Sequence, residues 1–172
     1  SRPWLQLSNL EQTAGLLQSM RQLAFFRQLT LLDAGGQRIA AAGQTADPSA
    51  LPALTDADLA LINSALAGQP ANDVRVVTGQ GGQPLAQVVF VAPVIDDAGQ
   101  VVGALVGETD LATNPLMQSA ASTLANIAGG VGRGMIVDER GQVVFHPDPT
   151  VVGTLYAPTP TDGSSLASPL TD

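Results

Sequence analysis

The chain has 172 residues, of which 45% are hydrophobic and only 3% aromatic, and its net charge is −8. This length fits one large domain, or one domain with part of a second, and the core has to be aliphatic. The absence of cysteine excludes thiolate metal sites, disulfides and cysteine nucleophiles. All seven basic residues are arginines scattered along the sequence, whereas binding of a phosphate backbone needs a clustered basic face. We therefore expect no nucleic-acid partner.

No stretch of the sequence has the roughly eighteen consecutive apolar residues that are typical of a membrane-spanning helix. The sequence also opens at Ser1-Arg2, without an initiator methionine or a signal peptide. We therefore expect a piece excised from a longer, membrane-anchored protein, with any membrane segments outside both of its ends.

Residues 3–24 are predicted to form an amphipathic helix, because apolar residues recur there at three- and four-residue spacing. The predicted apolar face consists of Trp4, Leu7, Leu10, Ala14, Leu17 and Met20, with Leu16 and Leu23 beside it.

A short unit then occurs three times: an apolar strand, the turn Asp-x-x-Gly-Gln and a second apolar strand. The turns lie at residues 33–37, 96–100 and 138–142. In such a turn the aspartate accepts hydrogen bonds from backbone N–H groups two or three residues further on, and the glycine adopts a positive φ. The pattern predicts three β-hairpins whose aspartates form turns rather than take part in catalysis.

The interval between the first two hairpins is predicted to contain short helices within residues 47–66, with a capping segment at residues 55–58. Strands are predicted at residues 73–78 and 85–91. A second amphipathic helix is predicted at residues 111–128. The order of elements is typical of an α+β fold, in which helices pack on one antiparallel sheet.

The tail at residues 157–172 is rich in Pro, Thr, Ser and Gly, and we expect it to be extended or poorly ordered.

Two segments resemble the strand motifs of the double Cache domain, a PAS-like sensor domain of bacterial transmembrane receptors. Residues 92–105 match the last strands of its membrane-distal module, and residues 134–148, followed by Val152-Gly153, match the start of its membrane-proximal module. The resemblance covers residues 3–155. It implies a long N-terminal helix, a PAS-like antiparallel sheet flanked by helices, a linker helix and the start of a second PAS-like module.

This resemblance also implies a division of the chain. Residues 1–24 would be an N-terminal signalling helix, residues 25–112 the distal module, residues 113–130 the linker helix and residues 131–172 the beginning of the proximal module. Because a complete proximal module needs about a hundred residues, that module is either truncated or rudimentary, and the sequence leaves both alternatives open.

The function implied is that of an extracytoplasmic ligand-sensing domain of a signal-transduction receptor. Receptors of this kind dimerise through the N-terminal helix and bind a small polar molecule. The output domain of the parent protein would be a histidine kinase, a cyclic-dinucleotide enzyme, a phosphatase or a chemotaxis module.

Catalytic and cofactor chemistry is poorly represented in the sequence. His146 is the single histidine, and with Asp148 it would supply at most two ligands to a metal. A phosphate-binding loop of the Walker type needs a lysine, and the chain has none. We therefore expect neither an enzyme nor a bound metal or cofactor.

The ligand-binding candidates are Arg75 and Glu108. Family members that bind amino acids use an Arg-x-Trp-x-x-x-Tyr stretch, which is absent because the only Trp is Trp4 and the only Tyr is Tyr156. Arg75 stands among valines on a predicted strand and could clamp a carboxylate, or could be the outward residue of an alternating strand. Glu108 approximately matches an acidic ligand-binding position of the family, or could face solvent. Asp110 is interpreted as the N-cap of the following helix.

Two other functions remain open at this point. One is a PAS-like protein-interaction or dimerisation module without a small-molecule ligand, which is consistent with the missing aromatic motif. The other is a cytoplasmic PAS-type sensor with a cofactor. The low aromatic content and the lack of cysteine argue against the second, because a haem would have only His146 as an axial ligand.

Overall fold

The computed structural model describes residues 9–22, 25–44, 46–127 and 134–157. Its helices are α1 (Asn9–Gln22), α2 (Asp56–Leu66) and α3 (Pro115–Ala125). Its strands are β1 (Gln28–Asp33), β2 (Arg38–Gly43), β3 (Ala71–Thr78), β4 (Pro84–Ile95), β5 (Val101–Asp110), β6 (Ile136–Val137) and β7 (Val143–Phe145). Short 3-10 turns occupy Pro48–Ala50, Gln80–Gly82 and Pro149–Val151.

Five strands form one antiparallel sheet in the order β2-β1-β5-β4-β3, so the predicted α+β class is confirmed. Successive residues of a strand point to opposite faces of the sheet. On β1, Leu32 packs in a cluster with Ile62 of α2, whereas Leu31 packs in a second cluster with Leu16 of α1. The sheet is therefore the central layer between two helices.

All three predicted hairpins are present, formed by β1–β2, β4–β5 and β6–β7. In the second turn, Oδ1 of Asp96 accepts from the backbone N–H of Ala98 at 2.9 Å and of Gln100 at 2.8 Å. The aspartate therefore accepts hydrogen bonds from the residues two and four positions further on, whereas the sequence predicted two or three positions. Gly99 has a φ of 79° and Gly141 a φ of 76°, as the turn type requires.

Helix α2 begins at the predicted capping segment. The hydroxyl of Thr55 accepts from the backbone N–H of Asp58, and the Asp58 carboxylate accepts from the backbone N–H of Thr55. This reciprocal pair is a capping box, which satisfies two backbone donors that the first helical turn leaves free.

The predicted apolar face of the N-terminal helix is partly wrong. Leu16 is buried against the sheet and Met20 packs beside it, but Ala14 and Leu17 face outward. Sequence spacing alone could not tell which of two adjacent leucines meets the sheet. Trp4, Leu7 and Leu23 lie outside the described residues.

The second amphipathic helix begins later than predicted, at Pro115, because β5 continues through Asp110. The backbone N–H of Leu111 still donates to the carbonyl of Ala86 on β4. The interpretation of Asp110 as a helix N-cap is therefore wrong. Its carboxylate instead accepts hydrogen bonds from Arg27.

The C-terminal hairpin packs against the edge of the main sheet. Nη2 of Arg140 donates to Oδ1 of Asp73 at 2.8 Å and to the carbonyl of Val74 at 3.2 Å. Gly153 lies so close to Val76 that an added Cβ would be 3.1 Å from its Cγ1. The hairpin thus rests on β3. The predicted end of the linker helix, at residues 128–130, and most of the predicted tail, residues 158–172, lie outside the described residues.

Within the described ranges, no helix combines the length and the apolar character that a membrane span requires.

Candidate ligand-binding cleft

A cleft of about 550 Å³ opens on the α2 side of the sheet. Its floor is formed by cleft-facing residues of the strands, and its walls by the start of α2 and by the segment of residues 50–55 that precedes it. Three of the seven basic residues of the chain line this cleft, namely Arg27, Arg38 and Arg75. In an acidic protein, such a concentration of cations at one place marks the cleft as the candidate binding site.

The alternation of the strands explains why polar side chains meet there. Val106 of β5 belongs to the core under α2, so Glu108 and Asp110, two and four residues on, point to the same face. The register pairs Arg75 with Gln87, and Gln87 with Asp110. One polar row therefore crosses three strands at the end of the cleft.

Arg75 stands between two acids. Its Nη1 donates to Oδ1 of Asp58 at 2.6 Å, and its Nη2 lies 3.6 Å from Oε1 of Glu108, beyond hydrogen-bond distance. The side chains of Arg75 and Glu108 are 29% and 26% exposed, so both are partly withdrawn from water.

Asp58 couples the helix cap to this ion pair, because one carboxylate oxygen accepts from Thr55 and the other from Arg75. Partial burial raises the pKa of the Asp58 carboxyl, but the hydrogen bonds from Thr55 and the positive charge of Arg75 outweigh it, so the pKa lies below its ordinary value. Asp58 therefore stays ionised and holds the guanidinium in place.

A second ion pair closes the neighbouring part of the cleft. Nη1 of Arg27 donates to both carboxylate oxygens of Asp110, at 2.9 and 3.0 Å. Nε2 of Gln87 donates to Oδ1 of the same carboxylate at 3.0 Å. The Asp110 carboxylate thus accepts three hydrogen bonds from protein donors, which hold it in place.

Arg38 lies in the cleft because of a register shift. Leu31 pairs with Ala40 but Leu32 pairs with Arg38, so one residue of β2 is left over at this point. Such an extra residue, here Ile39, places the side chains on its two sides, those of Arg38 and Ala40, on opposite faces of the sheet. Arg38 consequently faces the cleft, where Nη1 donates to the carbonyl of Leu51 at 3.2 Å and Nη2 to that of Pro52 at 2.6 Å.

Two buried donors in this cleft have no acceptor. Among the described residues, Nε of Arg27 and Nε of Arg75 are enclosed and make no hydrogen bond. A buried donor without a partner costs about 1–3 kcal/mol. Because neither atom has accessible surface, a ligand in the cleft does not reach them as they stand, and the cost falls on the folded protein.

Both residues predicted to bind a ligand, Arg75 and Glu108, line the cleft, so the outward orientation that was considered for each does not occur. Arg27, Arg38 and Asp58 were not predicted. The Thr-x-x-Asp capping pattern could have drawn attention to Asp58, but no local signal in the sequence brings the two arginines to this cleft.

His146 lies elsewhere, in a smaller cleft of about 250 Å³ beside the C-terminal hairpin. Its Nδ1 accepts from the backbone N–H of Asp148 at 3.0 Å, which stabilises the turn. In the parts of the chain that the structure covers, no three His, Cys, Asp or Glu side chains are grouped as metal ligands would be.

A scan of the sequence against protein-family models finds no match, and a search of curated protein sequences finds none either. Solved structures, in contrast, share the fold. The ligand-binding domain of the Pseudomonas aeruginosa PAO1 amino acid chemoreceptor PctC, in complex with GABA, is 21% identical with a TM-score of 0.61, over 87% of this chain and 62% of that one.

The ligand-binding domain of the Pseudomonas fluorescens chemoreceptor CtaA, in complex with L-serine, is 21% identical with a TM-score of 0.52, over 88% of this chain and 61% of that one. The periplasmic sensory domain of the Campylobacter jejuni chemoreceptor Tlp1 is 15% identical with a TM-score of 0.50, over 90% and 61%. The chain thus has the fold of these sensor domains, as its resemblance to the double Cache domain predicted, and spans about three-fifths of their length.

Proposed function

We propose that this chain is the ligand-sensing part of a bacterial transmembrane signalling receptor and that it works outside the cytoplasm. The observation that carries the proposal is the charged cleft of about 550 Å³, which three arginines and two acids line. A cleft of this size with a few convergent polar groups is typical of a small-molecule site.

The ligand that we propose is a small polar molecule, in contact with Arg75 and Glu108. The carboxylate of Glu108 accepts no hydrogen bond from the described residues and lies 3.6 Å from Nη2 of Arg75, so it remains an acceptor for the ligand. Arg75 is held by Asp58 and keeps further N–H donors for the ligand. Two of the similar structures contain GABA and L-serine, which supports a ligand of this size and polarity.

Signalling is proposed to pass through the sheet. Thr30 and Leu32 face the cleft, while Leu29 and Leu31, between and beside them, face α1. A ligand that shifts β1 would therefore change the packing of α1 on the opposite face and select one of two arrangements. In the proposed receptor, residues 1–24 form the signalling and homodimer-forming helix, residues 25–112 the sensing module, residues 113–130 the linker and residues 131–172 the start of a second module.

Catalysis is not part of this proposal. The structures that share the fold are ligand-binding and sensory domains, and His146 is used in a turn. A PAS-like interaction module without a ligand is not favoured, because it would leave the charged lining of the cleft without a role.

The test is a thermal-shift screen of small polar metabolites against the purified chain. A ligand that binds only the folded state raises the melting temperature. We expect hits whose effect is lost in both Arg75→Ala and Glu108→Ala but kept in Arg21→Ala, since Arg21 is exposed on α1, away from the cleft. Hits that both cleft variants retain would remove these residues from the site. A screen without hits would favour the interaction module.

A further inference from the structure

The end of β5 has different neighbours on its two faces. On one face, Glu108 lines the cleft and Asp110 binds Arg27 beside it. Thr109, between these two acids, points to the opposite face, on which Leu105 packs in the cluster of α1. Thr109 is only 1% exposed, and a hydroxyl so far from water needs partners within the protein.

The hydroxyl of Thr109 has two partners, which belong to two different segments. It donates to the carbonyl of Phe25, three residues after the end of α1. Its oxygen accepts from Nδ2 of Asn114 at 3.2 Å, and Asn114 directly precedes α3. A hydroxyl has one proton and two lone pairs, so the two hydrogen bonds do not compete. One buried hydroxyl therefore connects the exit of α1 with the start of α3.

The two segments are held on β5 in different ways. Phe26 packs directly over Gly107, where an added Cβ would be 2.5 Å from Cε1 of the ring. Helix α3, among the described residues, does not pack along the main sheet as α1 and α2 do. It is held at its start, where the backbone N–H of Asn114 donates to the carbonyl of Asp110 at 3.0 Å. That bond fixes the turn before α3, whereas the link from the turn to Phe25 runs through Thr109.

We propose that Thr109 ties α1 to α3, so that the two helices change position as one unit. This inference rests on the proposed function, in which α1 belongs to the signalling helix and α3 to the linker helix. Because Thr109 lies between Glu108 and Asp110, a ligand that shifts the end of β5 displaces the exit of α1 and the start of α3 together. Thr109 is a positioning residue, which acts through Phe25 and Asn114 and not through contact with the ligand.

The test measures the distance between the two helices. Because the chain has no cysteine, spin labels attach only where cysteines are introduced. Gln18→Cys on α1 and Ser119→Cys on α3 place the two labels at exposed positions. Pulsed electron–electron double resonance then gives the distribution of distances between the labels, without any ligand. If Thr109 holds the helices in one arrangement, the labelled chain gives a single narrow distribution.

Three variants remove or keep the tie. Thr109→Val replaces the hydroxyl with a methyl group of similar size and removes both hydrogen bonds. Because the loss of one hydrogen bond shifts a two-state equilibrium by up to about tenfold, the distribution should broaden or show a second population. Thr109→Ser keeps the hydroxyl and should retain the narrow distribution. Asn114→Ala removes only the bond to α3 and should also broaden the distribution, which keeps the test decisive if Thr109→Val fails to fold.

Two controls separate the tie from general loosening of the protein. Thr113→Val changes an exposed threonine in the same turn and should leave the distribution as it is. A second pair of labels, introduced by Asn63→Cys on α2 and Thr78→Cys on β3, lies at exposed positions away from the two tied segments. The distances in this pair should not change in Thr109→Val.

A distribution in Thr109→Val that matches the one in Thr109→Ser overturns the proposal, as does equal broadening for both pairs of labels. Since the measurement needs no ligand, either result would leave the proposed function standing. A thermal-shift screen without hits, in contrast, would count against the proposed function and not against the tie.

Discussion

Asp33, Asp96 and Asp138 each close a hairpin turn with the same two side-chain hydrogen bonds, and the glycine three residues after each aspartate has a positive φ. At Gly99 and Gly141 an added Cβ would meet nothing within 4 Å. The requirement for glycine there is therefore one of backbone conformation and not of space.

Gly99→Val should accordingly destabilise the protein by about 1–3 kcal/mol, because a β-branched residue is forced to positive φ. Gly99→Asn should cost less, since asparagine tolerates the left-handed region. Urea denaturation measures both. Equal losses of stability in Gly99→Val and Gly99→Asn would contradict this explanation, which attributes the loss to the positive φ.

Asp58 predicts a pH dependence at the residue scale. Its pKa in the folded state is lowered, so its contribution to stability is present above the unfolded pKa of about 3.9 and is lost as the pH falls through the folded value. The difference in urea midpoint between wild type and Asp58→Asn should therefore be full at about pH 6 and should shrink as the pH falls below about 4.

The matched control is Asp56→Asn, which removes an acid from the same helical turn without touching Arg75. At neutral pH, we expect the urea midpoint of Asp56→Asn to differ less from that of wild type than the midpoint of Asp58→Asn does. A difference for Asp58→Asn that is independent of pH would show that the carboxylate charge contributes nothing.

At the scale of elements, α1 is held by one stripe of side chains. Leu16 is 2% exposed and Leu17 is 43% exposed, although the two residues are adjacent. Gly43 of β2 lies beneath the helix, where an added Cβ would be 3.0 Å from Cε of Met20. The helix thus packs closely on β2, through the stripe that contains Leu16 and Met20.

This packing predicts that two Leu→Ala substitutions lower the stability of the protein by different amounts. Leu16→Ala should destabilise the protein by about 2–5 kcal/mol, as expected for a buried leucine, and Leu17→Ala by about 0.5 kcal/mol or less. Thermal or urea denaturation of the two variants, at a concentration where the chain is monomeric, provides the measurement. If Leu17→Ala were more destabilising than Leu16→Ala, the apolar face predicted from the sequence would be correct in solution.

At the scale of the whole molecule, the central sheet separates the cleft from α1. Residues of β1 alternate between the two sides, so the strand that borders the cleft is also a strand on which the helix packs. Since packed layers do not deform continuously, the proposed signalling requires that a shift of β1 change the arrangement of α1. The C-terminal hairpin rests on β3 at the other edge, through Arg140 and Gly153.

The sequence by itself determined the features that depend on neighbours a few residues apart. The hairpin turns, the capping box at Thr55 and Asp58, and the α+β order of elements are of this kind, because their hydrogen bonds join residues within about one turn. The family resemblance also made Arg75 and Glu108 candidates for a cleft, although the sequence left an outward orientation open for each.

The tertiary structure alone decided the rest of the cleft. Arg27 and Asp110 are 83 residues apart in sequence, and Arg75 and Asp58 are 17 apart, so only the folded sheet pairs them. Strict alternation would have placed Arg38 on the α1 side with Ala40, and a register shift between β1 and β2 turns it into the cleft. Local patterns specify turns and caps, whereas strand register and long-range ion pairs depend on the packing of the whole sheet.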